Sequence, residues 1–191
     1  MCILILTYHD LLNFKGLLIN AEAYKDMNDI SDKLYFWYKK NSKHYPWRLN
    51  SSPYSIWISE IMLQQTQAKT VIPYYNKWIT LYPDLDTLIN ADIEKLLKLW
   101  EGLGYYSRVQ NIYNTTNLIA SRYKNQIPNT YNELISLPGI GDYTASAILS
   151  VAFNKPYPSI DGNLKRVISR IYVLNKFKQN LGTFKYFVNQ Y

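Results

Sequence analysis

The stretch LPGIGDYTASAIL, residues 137–149, constrains the fold of this chain more than any other feature of its sequence. Gly139 and Gly141 flank one apolar residue, Ile140, and glycines at this spacing allow a tight turn that a Cβ would hinder. We predict that Ile140 is directed into the core beneath the turn. The small and apolar residues that follow predict a buried helix. The segment is therefore predicted to be a helix–hairpin–helix, two helices joined by a glycine turn.

The rest of the chain continues this helical pattern. Segments with apolar residues at helical spacing are separated by proline, glycine and asparagine, and no run shows the two-residue alternation of a half-buried strand. Neither an internal repeat nor a low-complexity linker interrupts these segments. The sequence therefore predicts an all-α fold, arranged as two small helical lobes.

Helix start signals support this prediction. Ser52 is a predicted N-cap, and Pro53 follows it at the first helical position, where a missing N–H costs no hydrogen bond. Thr130 and Glu133 have the spacing of a capping box, in which each side chain bonds the other residue's backbone N–H. A further helix is predicted to start near Asn90 and to bury Ile93, Leu96, Leu97 and Trp100.

The chain is basic and rich in aromatic residues. It has 21 lysines and arginines against 14 acids, a formal net charge of +7, together with 19 tyrosines and 5 tryptophans. Positive charge favours a polyanionic partner and aromatic rings stack on bases, although solvated lysines and core aromatics give the same composition.

The hairpin gives this charge a place to act. Gly139 and Gly141 would let a phosphate approach the backbone N–H groups that open the next helix, where the helix dipole favours an anion. Such a turn contacts the nucleic-acid backbone without reading bases. The alternative is a helical corner whose glycines serve packing alone.

The cysteine content and the first residues restrict the class of protein. Cys2 is the only cysteine, so neither a disulfide nor a cysteine-ligated metal cluster can form within the chain. The start, MCILILTYHD, lacks the basic region and cleavage site of a signal peptide and is too short to span a membrane. We expect an intracellular protein with no membrane partner, no metal site and no cofactor in this chain.

Five stretches carry a resemblance to a known family. In chain order they are YPWR, PYSIWISEIMLQQTQAKTVIPYYNKW, LWEGLGYYSRVQNI, LPGIGDYTASAILS and SIDGNLKRVISRI. The chain resembles the helix–hairpin–helix DNA glycosylases related to endonuclease III, and among them the MutY-type adenine glycosylases. SEIMLQQTQ and GLGYYSR discriminate more than the hairpin, which many DNA-repair proteins share. The resemblance implies a base-excision-repair enzyme whose partner is double-stranded DNA with adenine mispaired with 8-oxoguanine or guanine.

Two acidic residues fit the cleavage of an N-glycosidic bond. The leaving adenine needs a proton and the sugar cation needs a negative charge, so one carboxyl must be neutral and the other ionised. Glu60 is flanked by apolar residues in ISEIML, where desolvation would raise its pKa. Asp161 precedes a predicted helix start, where backbone donors would keep it ionised. Residue type alone would leave them as an exposed helix charge and an N-cap; the resemblance implies that Glu60 protonates adenine and Asp161 stabilises the sugar cation.

The glutamines of LQQTQ extend this candidate site. Gln64 and Gln67 follow Glu60 by four and seven residues, so we predict that all three share one helical face. The resemblance implies that Gln64 enters the duplex near the orphaned 8-oxoguanine and that Tyr105 is an aromatic wedge that stacks beside it. Such a stack is worth about 1–3 kcal/mol per base and would offset much of the cost of flipping out the adenine. Without the resemblance, Tyr105 reads as a core tyrosine after a glycine turn.

Four further residues take their roles from the resemblance. Asn163 matches a residue that helps hold the catalytic carboxyls. Trp47 and Arg48 match positions that line the base pocket, although residue type alone favours core and surface. Tyr143 stands where the endonuclease III group has a lysine that attacks the sugar, and a phenol cannot form that Schiff base. The resemblance also places a tyrosine here beside the reacting sugar, so it predicts a monofunctional enzyme that leaves an abasic site.

The resemblance does not extend to either end of the chain. Residues 1–29 are interpreted as an N-terminal extension of unknown role, residues 30–174 as the glycosylase core, and residues 175–191 as a truncated C-terminal segment. Family members continue with helices that complete the second lobe, a four-cysteine iron–sulfur loop and a domain that recognises 8-oxoguanine. We therefore expect an incomplete second lobe without an iron–sulfur cluster.

Three readings follow. The chain is a working adenine glycosylase, reduced or completed by a protein partner that supplies the missing helices. Alternatively, it is a truncated relic that binds DNA and turns over poorly. A glycosylase for another base, such as thymine or a damaged pyrimidine, is the third reading, and SEIMLQQTQ, GLGYYSR and Tyr143 argue against it.

Overall fold

The computed structural model describes residue 33 and residues 36–163. Within this part of the chain all regular secondary structure is helical and no strand is present, which confirms the all-α prediction. The interpretations of residues 1–29 and 175–191, and the prediction of an incomplete second lobe, lie outside the described residues. None of the described helices has the length and apolar composition that a bilayer crossing requires.

After a helical segment at residues 36–41, eight helices follow in the described part of the chain. They are α1 (Pro46–Leu49), α2 (Pro53–Leu63), α3 (Ala68–Leu81), α4 (Leu85–Ile89), α5 (Ile93–Trp100), α6 (Ser107–Arg122), α7 (Tyr131–Ile135) and α8 (Asp142–Val151).

Helix α2 is the central element of the fold. Ser52 caps it as predicted, since its hydroxyl accepts a hydrogen bond from the Ser55 N–H at 3.1 Å, and Pro53 occupies the first turn. Nine of its eleven residues are buried, as expected for a helix that is apolar on all sides. It packs against α1, α3, α6 and α8. Each large apolar side chain that it buries contributes roughly 1.5–3 kcal/mol, so α2 is held firmly by its neighbours.

Aromatic residues fill the core on the side of α3 and α5. The Trp78 and Trp100 rings meet edge to face, with their centroids 5.7 Å apart. Trp78 Nε1 donates to the Tyr54 hydroxyl at 3.0 Å, and that hydroxyl donates to the Tyr82 carbonyl oxygen at 2.7 Å. These polar atoms are therefore paired within the core, which removes the cost of burying them.

The helix predicted to start near Asn90 starts later. Asn90 is instead the C-cap of the short helix α4, and Asp92 caps α5 by accepting from the Glu94 N–H at 2.8 Å. The capping carboxylate decides the start, because it supplies an acceptor that the first turn lacks. The predicted apolar face was also partly wrong: the buried residues are Leu96, Leu99 and Trp100, whereas Ile93 and Leu97 are half-buried.

The predicted capping box before α7 forms in part. The Thr130 hydroxyl accepts from the Glu133 N–H at 3.4 Å, as predicted. The Glu133 carboxylate bonds the Thr130 hydroxyl. The two side chains therefore pair with each other at the start of the first hairpin helix.

Candidate active site

Glu60 lies on α2 in the interior of the protein, with 4% of its surface exposed. Burial raises the pKa of its carboxyl to about 7; the positive charge of Arg48 lowers the pKa and the negative charge of Asp161 raises it further, both as smaller effects. The buried apolar residues Ile58 and Ile61 adjoin it along the chain. The predicted desolvation of Glu60 is thus confirmed, and a substantial fraction of its carboxyl carries a proton near neutral pH.

Asp161 immediately precedes a helical segment that begins at residue 162. It is half-buried, and its Oδ2 accepts a hydrogen bond from Asn163 Nδ2 at 3.0 Å. Because the charge of Asp161 acts on the pKa of Glu60, the two carboxyl groups belong to one electrostatic environment. The structure therefore places Asp161, which is hydrogen-bonded to Asn163, where its charge acts on Glu60.

Trp47 and Arg48 lie on the short helix α1 and differ in their surroundings. Trp47 is 2% exposed; its ring stacks on Tyr45 at 5.0 Å and meets Tyr75 edge to face at 5.4 Å. Arg48 is half-buried, and its positive charge lowers the pKa of Glu60. Trp47 is thus a core residue that anchors α1, and Arg48 is the member of the pair with a direct electrostatic effect on the candidate site.

The glycine turn has the predicted form. The Ile140 side chain is buried, and its N–H donates to the Leu137 carbonyl oxygen at 3.2 Å. Gly139 has a φ of +77°, and a Cβ at this position would lie 2.8 Å from the Asn111 Cβ. Gly141 precedes α8, with no atom within 4 Å of an added Cβ. One glycine is therefore required by the fold, and the other leaves open space beside the first turn of α8.

Tyr143 lies in the first turn of α8, two residues after Gly141, and is half-buried. Its position on this helix follows from the hairpin, because the turn fixes where α8 begins. The role that the resemblance implies for Tyr143, beside a reacting sugar, stays a prediction.

Gln64 faces the hairpin. Its side-chain Nε2 donates to the Gly139 carbonyl oxygen at 3.4 Å and to Thr144 Oγ1 at 3.5 Å. Gln64 is the C-cap of α2, Gln65 has a φ of +54°, and Gln67 is the N-cap of α3. The prediction that Gln67 shares the helical face of Glu60 is therefore wrong, because α2 ends before it.

Tyr105 is a surface residue. Its side chain is 60% exposed and its φ is +49°, in the left-handed region that few non-glycine residues adopt. The reading of Tyr105 as a core tyrosine is thus wrong. An exposed aromatic ring that is held by a constrained turn is suited to stacking on a base.

Arg108 was not singled out from the sequence. It is 5% exposed, and its guanidinium donates five hydrogen bonds to backbone carbonyl oxygens. Burial lowers the pKa of this guanidinium, and nearby Tyr105 partly opposes that effect. The available signal was the motif GLGYYSR itself, whose arginine follows the exposed tyrosine by three residues.

The iron–sulfur cluster that the resemblance implies for many family members does not fit the residues of this chain. Such a cluster takes four cysteine thiolates, and Cys2 is the only cysteine. Among the residues that the structure describes, no group of three or more histidine, cysteine, aspartate or glutamate side chains is placed to hold a metal ion.

Comparison with known proteins identifies relatives along most of the chain. It is 51% identical over 140 residues to the adenine DNA glycosylase of Buchnera aphidicola subsp. Baizongia pistaciae, covering 73% of this chain and 40% of that protein. It is 40% identical over 144 residues to the human adenine DNA glycosylase, covering 71% of this chain and 26% of that protein. The chain thus spans 40% or less of the length of these curated relatives.

Solved structures share the fold. A thermostable thymine-DNA glycosylase matches with a TM-score of 0.71 at 28% identity, over 78% of this chain and 69% of the other. Endonuclease III in a non-covalent DNA complex matches with a TM-score of 0.62 at 23% identity, over 73% and 66% of the two chains. The second match concerns the fold alone.

The family model for HhH-GPD superfamily base excision DNA repair proteins matches residues 58–188, more than half of the chain. This match begins on α2 two residues before Glu60, and it includes the hairpin and Asp161. The resemblance to adenine DNA glycosylases that the sequence motifs indicate is confirmed by the relatives. The chain belongs to the HhH-GPD superfamily of base excision DNA repair proteins.

Proposed function

We propose that this chain is a monofunctional DNA glycosylase that removes adenine mispaired with 8-oxoguanine or guanine. The adenine DNA glycosylases to which it is similar support the reaction class. The observation that carries the proposal is the Glu60 carboxyl, whose pKa is raised by burial to about 7, with a smaller contribution from the charge of Asp161. A carboxyl that titrates near neutral pH can donate a proton at the pH of a cell.

Glu60 and Asp161 then act in sequence on the extruded nucleotide. Glu60 protonates a ring nitrogen of adenine, the C1′–N9 bond breaks, and its electron pair leaves with the base. Asp161 faces the positive charge that develops on the sugar, which an ionised carboxylate stabilises. Water adds to C1′ and releases a proton, so an abasic site remains. Asn163 holds the Asp161 carboxylate through the 3.0 Å hydrogen bond.

Extrusion of the adenine needs side chains that replace its contacts in the duplex. Flipping a base costs a few kcal/mol of unstacking and unpairing. In this proposal the exposed Tyr105 ring stacks against the vacated position, and Gln64, beside the hairpin, reaches the orphaned base. We propose that Arg48 lines the base pocket from α1 and that Trp47 holds this helix in place.

Tyr143 sets the end point of the reaction. A lysine at this position could attack the sugar and form a Schiff base that leads to strand cleavage, whereas a phenol has no amine with which to form it. Base removal therefore ends at an intact strand that carries an abasic site.

We propose double-stranded DNA with an adenine mismatch as the substrate. The hairpin contacts its phosphates through the open space at Gly141, and the net charge of +7 favours the same partner. A protein partner and an intracellular location belong to the same proposal.

A pyrimidine glycosylase is the second candidate, because a thymine-DNA glycosylase shares the fold at a TM-score of 0.71. Adenine is favoured, since identity to the thymine enzyme is 28% whereas identity to an adenine DNA glycosylase reaches 51%. The two candidates differ only in the base that is released.

The test is a single-turnover incubation with duplexes that carry adenine opposite 8-oxoguanine, adenine opposite thymine, or thymine opposite guanine. We expect strand breaks at the mispaired adenine after alkali treatment, and none with E60Q. Breaks at thymine would support the second candidate. Retained duplex binding without any cleavage would indicate a DNA-binding relic, and breaks without alkali that borohydride traps would contradict the role given to Tyr143.

A further inference from the structure

The buried Arg108 side chain connects the end of α2, which carries Gln64, with the turn that carries Tyr105. Both segments contact the DNA in the proposed function. Arg108 lies in the first turn of α6, and its guanidinium nitrogens reach two separate stretches of backbone. Nη1 donates to the carbonyl oxygens of Ile61 at 3.1 Å, Met62 at 2.7 Å and Gln64 at 2.8 Å, and Nη2 donates to those of Leu103 at 3.1 Å and Gly104 at 3.0 Å.

The first stretch is the end of α2. The last carbonyl groups of a helix have no partner within the helix, and a cation there is favoured by the helix dipole. Arg108 supplies both the donors and the charge at the point where the chain turns out of α2. It therefore fixes the backbone of Gln64, four residues after Glu60.

The second stretch is the turn that presents Tyr105. Gly102, Gly104 and Tyr105 all have φ between +49° and +93°, a conformation that local preference does not favour for tyrosine. Trp100 Nε1 donates to the Gly104 carbonyl oxygen at 3.0 Å, and Arg108 adds its own bond to the same atom. The conformation of this turn is thus stabilised by the side chains of Trp100, before the turn, and Arg108, after it.

The guanidinium also supports the Tyr105 ring directly. Its Cζ lies 5.4 Å from the centroid of that ring and 5.3 Å from the centroid of Trp100, within range of a cation–π attraction. One face of the exposed ring is therefore backed by a buried charge, while the ring remains accessible to a base.

We propose that Arg108 is a positioning residue that sets the separation between Gln64 and Tyr105, the two side chains that enter the duplex. This inference rests on the proposed function. The guanidinium is buried, and within the described part of the chain all of its hydrogen bonds go to backbone oxygens. Arg108 therefore acts through Gln64 and Tyr105 and not on the substrate. Its loss should impair base extrusion and leave the protonation of the base by Glu60 unaltered.

The test uses E60Q, which cannot release the base, with a duplex that carries 2-aminopurine at the target position opposite 8-oxoguanine. Its fluorescence rises when the base leaves the stack. We expect E60Q to bind and to give this rise, and E60Q with R108K to bind and to lose most of it per bound complex. Lysine keeps the charge but lacks the planar fork that reaches five acceptors. The matched control is R122K, at the exposed last residue of α6, which should keep the full rise.

An equal rise with and without R108K would overturn the inference. A second readout on the otherwise unaltered chain is the pH profile of single-turnover adenine removal: R108K should slow the reaction at every pH and leave the midpoint unchanged. A shifted midpoint would instead place Arg108 in the proton transfer and contradict a positioning role. R108Q, without the buried charge, is the second variant if R108K does not unfold cooperatively.

Failure of the proposed function itself is distinguishable. E60Q would then bind without any rise in fluorescence, and the unaltered chain would release no adenine. Hydrogen exchange without DNA still tests the coupling: R108K should speed exchange in residues 61–66 and 101–106 together, and R122K in neither. Exchange that speeds in only one segment, or in neither, would overturn the inference.

Discussion

Three influences act on the pKa of Glu60, and their balance sets the chemistry of its carboxyl. Burial disfavours the charged carboxylate, while Arg48 favours it and Asp161 disfavours it. Burial has the largest effect on the pKa, because the Glu60 carboxyl has little water around it. The charge of the half-buried Arg48 is partly screened by solvent, so its effect is smaller. The Glu60 carboxyl can thus hold a proton near neutral pH in spite of the Arg48 charge.

The first prediction concerns the rate of adenine removal against pH. The pKa of Glu60 is raised to about 7, so the proton donor is present below this pH and is lost above it. We expect the single-turnover rate to fall as pH rises through 7 and to approach a tenfold loss per pH unit beyond it. Duplex binding measured over the same range separates this loss from weaker association. A rate that rises between pH 7 and pH 9 would contradict Glu60 as the acid.

The second prediction concerns stability and needs no substrate. A carboxyl whose pKa is higher in the folded state than in the unfolded state stabilises the fold at low pH, and this stability is lost as pH rises from about 4.5 to about 7. E60Q removes the ionisable group, so it should match the parent near pH 4.5. Above pH 7 it should be more stable, by up to roughly 3 kcal/mol at about 1.4 kcal/mol per pKa unit. Urea unfolding at both pH values measures this difference.

Glu94 supplies the matched control for that experiment. It is an exposed acid in the first turn of α5, where a carboxylate is favoured by the helix dipole. E94Q should therefore have a small effect of the opposite sign at high pH. Equal effects of E60Q and E94Q on unfolding would contradict the burial of Glu60.

At the scale of elements, the hairpin contains two glycines that differ in backbone conformation and in surroundings. Gly139 has a φ of +77°, and an added Cβ would lie 2.8 Å from the Asn111 Cβ. Gly141 has a φ of −96° and open space around an added Cβ. The same substitution should therefore have different consequences two residues apart.

The third prediction compares G139A with G141A. G139A should lower the free energy of unfolding by about 2 kcal/mol, because left-handed backbone alone costs an alanine about 1–2 kcal/mol and the clash adds to this. G141A should leave stability nearly unchanged, and it should weaken duplex binding by filling the space where a phosphate approaches. Urea unfolding and fluorescence anisotropy with a labelled duplex measure the two effects. Unaltered binding by G141A would contradict a phosphate contact there.

Local signals made some elements predictable and left others hidden. Ser52 with Pro53, and the glycines around Ile140, act within a few residues, so the sequence alone indicates the start of α2 and the hairpin. The end of α2 carries no glycine or proline, and the helical face was therefore extended wrongly to Gln67. The five-residue helix α4 is too short for a periodic pattern, and it was missed.

At the scale of the whole molecule, the site depends on contacts that no local pattern contains. Arg108 bonds carbonyl groups 44 to 47 residues away along the chain, and these form only after α2 and α6 have packed together. The burial of Glu60 was predictable from its apolar neighbours, whereas the approach of Asp161, about a hundred residues later, came only from the family resemblance. Fold class can thus be predicted from many weak local patterns in the sequence. The geometry of the site depends on contacts between distant residues that form only when the core has packed.

The fourth prediction belongs to the charge of the whole chain. With a net charge of +7, duplex binding should weaken as salt rises, with a slope in log K against log salt of about −0.9 for each phosphate that is neutralised. In the proposed complex the hairpin contacts the DNA backbone and Tyr105 contacts a base face, so only the first interaction releases counterions. We therefore expect parallel salt lines for a duplex with adenine opposite 8-oxoguanine and for a fully paired duplex, offset by a constant ratio. Anisotropy titrations with E60Q, which prevents turnover, measure both lines. A preference for the mismatch that disappears with salt would show that charge, not stacking, selects the lesion.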